Sequence, residues 1–184
     1  MVLHWIANPG PPGRLGSNPS PGVLFKMEQE KLQKEMREAF EKAKKEMGFK
    51  ASFEEIEKIF YINDYVLKEG FVSSRFDRAI CHRVIETVNS WAWFLHGLVV
   101  PNPSSMFNIT ESQYFDEKEK QHFNELMNRT AEMVSRNSLF VLNQDMAAEG
   151  KLVDDAINFW NSEFNPELVK IMSKINKNWK DKIK

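Results

Sequence analysis

Trp91-Ala92-Trp93-Phe94-Leu95-His96-Gly97-Leu98-Val99-Val100 is the longest apolar run in the chain, and Pro101 closes it. A membrane-crossing helix needs about 20 apolar residues, so this run is too short to span a bilayer. It reads instead as the second half of a helix covering about residues 75–99. Ser74 and Asp77 stand at capping spacing at its start. Phe76, Ile80, Val84 and Val88 make the first half one-sided, whereas the second half is apolar nearly all round. A helix apolar on every face must be surrounded. The second half is therefore expected at the centre of the domain, with Trp91, Trp93 and Phe94 buried and His96 held neutral by burial.

The same 3.6-residue period extends outward on both sides. Upstream, Leu32, Met36, Phe40, Ala43 and Met47 line one helix face, and Gly48 can end that helix in a left-handed turn. Ser52 and Glu55 open a second helix expected to reach Gly70, with Phe53, Ile56, Phe60 and Leu67 inward. Downstream, Pro101 to Ser105 is a turn-rich crossing. Asp116 and Glu119 cap a helix expected to run to about Met146 on a stripe of Phe123, Met127, Val134, Val141 and Leu142. Gly150 separates it from a helix carrying Leu152, Ala156 and Phe159. Asn165-Pro166 then reads as the cap and first residue of a last helix with Leu168, Met172, Ile175 and Trp179 inward. No segment alternates like a strand. The expected fold is all-α, a bundle of five or six helices packed around the central apolar helix at about 75–99.

Residues 1–26 differ in kind. Pro9, Pro11, Pro12, Pro19 and Pro21 argue against helix there, and helical composition begins abruptly at Met27. The expectation is a disordered or non-native Pro/Gly-rich leader over 1–26 and a single helical domain over 27–184. The competing reading is a Pro-rich docking arm anchored by Trp5 and Phe25.

With 184 residues, 42% apolar and 28% charged, the chain is long enough for one globular domain with a sizeable core. A net charge of −1 supplies no global field toward nucleic acid or an anionic membrane. Cys81 is the sole cysteine, which excludes an intrachain disulfide and a Cys-rich zinc site and agrees with a cytoplasmic setting.

Four residue patterns carry possible chemistry. Glu119-Lys120-Gln121-His122 puts a carboxylate and an imidazole on one helix face, the spacing used by di-metal bundles, but the further ligands of such bundles are absent. His82 and Glu86, four apart, could meet Asp64 from the neighbouring helix as a metal site or an acid–base pair; the plainer reading is the polar edge of an amphipathic helix. Cys81 beside His82 does not make a nucleophile, since helical neighbours point about 100° apart. Lys170, Lys174 and Lys177 share a helix side and could bind phosphate, although lysines also gather at helix C-termini for the macrodipole.

No phosphate loop, dinucleotide fingerprint or zinc-protease signature occurs, and no cofactor is expected. The surplus of apolar side chains, with 14 Phe, 9 Met and 5 Trp, favours a non-catalytic protein-interaction or self-associating module. The alternatives are a metal-dependent or acid–base enzyme whose residues converge from separate helices, and a weak nucleic-acid binder using the Lys-rich C-terminal helix. Protein is the expected partner, self or other; a membrane is not, and nucleic acid is the less favoured one.

Overall fold

The computed structural model describes residues 21–69 and 71–183, so most of the 1–26 leader, with Trp5, and the expected stop at Gly70 lie outside the described residues. Eight α-helices run through the described residues: α1 (Pro21–Met47), α2 (Phe53–Phe60), α3 (Ile62–Glu69), α4 (Phe76–Val99), α5 (Met106–Ser112), α6 (Glu117–Asn143), α7 (Met146–Phe159) and α8 (Asn165–Ile183). A π-helical turn, Trp160–Phe164, joins the last two. No strand occurs among the described residues, and the fold is an all-α bundle.

α1 is already helical at Pro21, ahead of Met27. Proline is tolerated in a helix's first turn, where its missing N–H would have no partner, so Pro21 does not exclude helix as its composition suggested. The α1 face reads as expected: Met36, Phe40, Ala43 and Met47 are buried, and Gly48 ends the helix at φ 76° with its N–H on the Lys44 carbonyl. The chain then turns inward through Phe49 and Ala51. The Lys50 N–H donates to the Asp154 carboxylate of α7 at 2.9 Å, which fixes this corner to the bundle.

α4 is the axis. It packs most extensively along α6 and also touches α1, α2, α5 and α7. Its two halves nevertheless reverse the expectation. Phe76, Ile80, Cys81, Val84, Ile85 and Val88 are buried in the first half, against Ala92, Leu95 and Leu98 in the second. Trp91 and Phe94 are half-buried, and Trp93 and His96 are exposed. The all-round apolarity of residues 91–100 therefore marks a helix end that is apolar toward solvent as well as toward the core.

The second expected helix is two. α2 ends at Phe60, and Tyr61 takes a left-handed conformation at φ 53° with its N–H on the Glu57 carbonyl. The break is held from both sides. Arg83 Nε donates to the Phe60 carbonyl at 2.8 Å, and the Glu57 carboxylate accepts from the Asn63 N–H at 2.7 Å. Glu57 thus serves the start of α3, and Asn63 and Asp64 sit in its first turn rather than mid-helix, where short polar side chains are poorly tolerated.

The two last expected helices are one nearly continuous rod. Asn165 has helical backbone (φ −63°) instead of capping, and its N–H reaches the Trp160 carbonyl across a π step. Pro166 has no N–H for the Ser162 carbonyl. A π turn just before the proline lets the helix pass it without a break. At the other end α7 starts before Gly150, which lies inside it. A Cβ on Gly150 would stand 2.1 Å from the Met47 carbonyl oxygen. The glycine is there so that α1 and α7 can touch backbone to backbone.

Candidate functional site

α6 begins at Asp116, whose side chain accepts from the Glu119 N–H while Glu119 accepts from the Asp116 N–H. This capping box orients Glu119 toward α8, where Lys174 Nζ reaches both its oxygens at 2.6 and 2.8 Å. One turn on, His122 lies between two carboxylates. Glu125 is 3.3 Å from Nδ1 and Glu167 3.8 Å from Nε2. Lys170 pairs with Glu167 at 2.5 Å, and Phe115, Phe123 and Ile171 form an apolar floor beneath the group. The structure therefore brings Glu119, His122, Lys170 and Lys174 into one shallow cleft of about 290 Å³.

The cleft's chemistry is ion pairing. Glu119 is committed to a backbone N–H and to Lys174. The carboxylates flanking His122 approach opposite ring nitrogens, so they do not converge on one ion. Among the described residues no group of three or more His, Cys, Asp or Glu side chains is placed to hold a metal. Lys177 lines a separate surface depression with Lys180.

Asp64, His82 and Glu86 are not brought together. All three are exposed, and Glu86 pairs with Arg83 on its own helix at 3.3 Å. His96 corrects another expectation: it is exposed, its ring packed edge-on against Trp93 at 5.4 Å.

The bundle also holds a buried carboxylate that no sequence pattern marks. Glu149, 1% exposed in the first turn of α7, has Arg78 of α4 as its charge partner at 3.4 Å, and neither of its oxygens accepts a hydrogen bond. Burial raises the Glu149 pKa above the usual carboxylate value, and the Arg78 charge only partly offsets this. Asp77 behaves oppositely. Burial pushes it up, but the hydrogen bond from Arg75 and the charges of Arg75 and Arg78 outweigh that and hold it below its usual value.

Cys81 is buried beside this group, with Asn137 Oδ1 3.2 Å from Sγ. Burial, aided by the Glu149 charge, pushes the thiol pKa up to about 12. A thiol that stays protonated is a poor nucleophile. Iodoacetamide at pH 8 is therefore expected to leave Cys81 unmodified in the native protein and to label it fully in urea, read by intact mass. Rapid native labelling would show that the thiol is reachable.

No family model matches this chain, and no curated protein or solved structure does either. The remaining surface must be read from its own chemistry. Trp93, Met106 and Phe107 are 65%, 75% and 69% exposed at the end of the bundle where α4 hands over to α5. Trp93, Gly97 and Val100 share one face of α4, and Asn108 Nδ2 lies 3.7 Å from where a Gly97 Cβ would be, so α5 leans on that face. Phe107 in turn packs on Trp179 of α8 at 5.7 Å between ring centres. The Trp179 indole N–H donates to Glu111 at 2.9 Å, and Lys182 lies over the Trp179 ring. Met106 and Phe107 of α5 are thus exposed beside the half-buried Trp179 of α8, and Trp93 is exposed one turn before Gly97 on α4. Among the described residues no helix is long and apolar enough to cross a membrane.

Proposed function

We propose that the protein is a non-catalytic protein-interaction module of the cytoplasm that works through the apolar end formed by α4, α5 and α8, with a second copy of the chain as partner. The observation that carries this reading is the exposure of Trp93, Met106 and Phe107 on adjoining helices. Isolated exposed apolar residues are ordinary, but large aromatic and Met side chains grouped at one place are the material of interface hot spots. Self-association lets the same face serve both sides of a two-fold contact and needs no other chain. The ion pairs that hold Glu119, Lys170 and Lys174 weigh against chemistry in the other cleft.

Sedimentation velocity over a concentration series tests the reading. The native protein is expected to shift from monomer to dimer as concentration rises, and Trp93→Lys with Phe107→Lys to remain monomeric with an unchanged helical spectrum. Both positions are exposed, so the substitutions disturb little of the core. A native protein that stays monomeric throughout, or a dimer that survives both substitutions, rejects this assignment of the face.

A further inference from the structure

A cleft of about 480 Å³ lies between α2, α4 and the π turn, on a side of the bundle unrelated to the apolar end. Trp91 and Trp93 are two residues apart on α4 and so point about 200° from one another, which puts the cleft and the exposed Trp93 on opposite helix faces. The volume is within the roughly 300–1,000 Å³ of small-molecule sites.

Two of its aromatic walls come from irregular stretches of backbone. Tyr61 enters from the left-handed residue between α2 and α3, and Trp160 from the first residue of the π turn. Pro166 accounts for the π turn, but no glycine or asparagine accounts for Tyr61. A left-handed conformation is sterically disfavoured in a bulky residue and is retained where the surroundings impose it. Here Arg83 and Glu57 impose it, and the result is a third aromatic ring at the mouth of a cleft already lined by two indoles.

The polar lining narrows the ligand class. Asn161 and Asn165 contribute side-chain amides that no hydrogen bond among the described residues engages. Asn165 is free because the π turn removes the capping role its sequence position suggested. Glu55 and Lys58 add one carboxylate and one ammonium, so the lining carries balanced charge. An organic cation would find the Glu55 carboxylate offset by the Lys58 ammonium in the same lining, and an anion would need a surplus of donors. Paired amides with balanced charge and aromatic faces suit a neutral ligand with an apolar face and many hydroxyls. Each hydroxyl both donates and accepts, and the C–H face of the ring packs on the negative face of an aromatic.

We propose that this cleft binds a neutral sugar, stacked on Tyr61, Trp91 and Trp160 and hydrogen-bonded by Asn161 and Asn165. Tryptophan fluorescence titrations with cellobiose, maltose and diacetylchitobiose test it, with choline as the cationic comparison. At least one disaccharide is expected to give a saturable change and choline none. Tyr61→Gly should weaken that affinity about tenfold, the worth of an aromatic contact. Because glycine accepts the left-handed conformation, this variant keeps native thermal stability, so a loss of binding is not a loss of fold. Asn161→Ala, at an exposed position, should weaken binding as well, while Trp93→Lys leaves it intact and so separates this site from the interaction face. The proposal is overturned if no disaccharide saturates, if choline alone binds, or if Tyr61→Gly and Asn161→Ala bind like the native protein.

Discussion

Gly150→Ala is expected to lower the melting temperature by roughly 10 °C, equivalent to about 3 kcal/mol or more in a domain of this size. The added methyl would stand 2.1 Å from the Met47 carbonyl oxygen and 2.8 Å from its carbonyl carbon, both backbone atoms that no rotamer change can move. α1 and α7 would have to separate. Leu152, Val153 and Ala156, all fully buried along α7, would lose their close packing with it. In a solvent-exposed helix the same substitution would add about 1 kcal/mol of stability, so the sign itself is diagnostic. A melting temperature at or above that of the native protein would show that the two helices do not touch at this point.

Arg78→Met should destabilise the fold increasingly as pH rises. The variant keeps the apolar stem but removes the ion-pair partner of the buried Glu149 carboxylate and leaves only the weaker influence of Arg75, which is taken up by Asp77 at 3.1 Å. A free glutamate titrates near 4.3 and one pKa unit is worth 1.36 kcal/mol, so folding with that carboxyl protonated at pH 7 costs at most about 3.7 kcal/mol. Glu149 is an acid whose folded pKa is raised. Its contribution is therefore fully present below the unfolded pKa and is lost as pH rises through the folded one. Without Arg78 the folded pKa rises further, and the loss extends over a wider range. Urea unfolding at pH 4.5 and pH 8 reads the effect, with a small deficit expected at the first and a large one at the second. Equal deficits at both values would mean that Arg78 acts through packing and its hydrogen bond to the Val141 carbonyl, and not through the Glu149 charge.

The elements read correctly from sequence are those whose signals are local and mutually consistent. The Asp116 and Glu119 box, the Ser52 cap and the left-handed Gly48 each occupy a few residues, and tertiary packing does not override them. The departures occur where packing overrides a local rule. Asn165-Pro166 has the pattern of a helix start, yet buried Phe164 and Leu168 hold it within a continuing rod. Tyr61 breaks a helix against its own steric preference because Arg83 and Glu57 satisfy the freed backbone groups. The run from Trp91 to Val100 reads as central although part of it faces outward, because apolarity does not distinguish a side chain facing the core from one facing solvent at a helix end.

For the sites, spacing along one helix revealed that Glu119 and His122 share a face, but not that Lys174 and Glu167 meet them from α8. Arg78 and Glu149 lie on separate helices with no motif to link them, and nothing in the local sequence marks Glu149 as buried. The aromatic cleft is assembled from α2, α4 and the π turn, and single-segment patterns do not reveal such convergence.

The π turn also sets the phase of everything after it. It places one extra residue in a helical repeat, which turns the following segment by about 100° relative to an uninterrupted α-helix. Leu168, Ile171 and Ile175 are buried only in the turned frame. A designer who rebuilt residues 146–183 as an ideal straight helix would carry these three side chains about a quarter of the way around the cylinder and send charged neighbours into the bundle. Residues 146–183 therefore have two reading frames for their helical pattern, and any idealised or transplanted version must keep the offset between them.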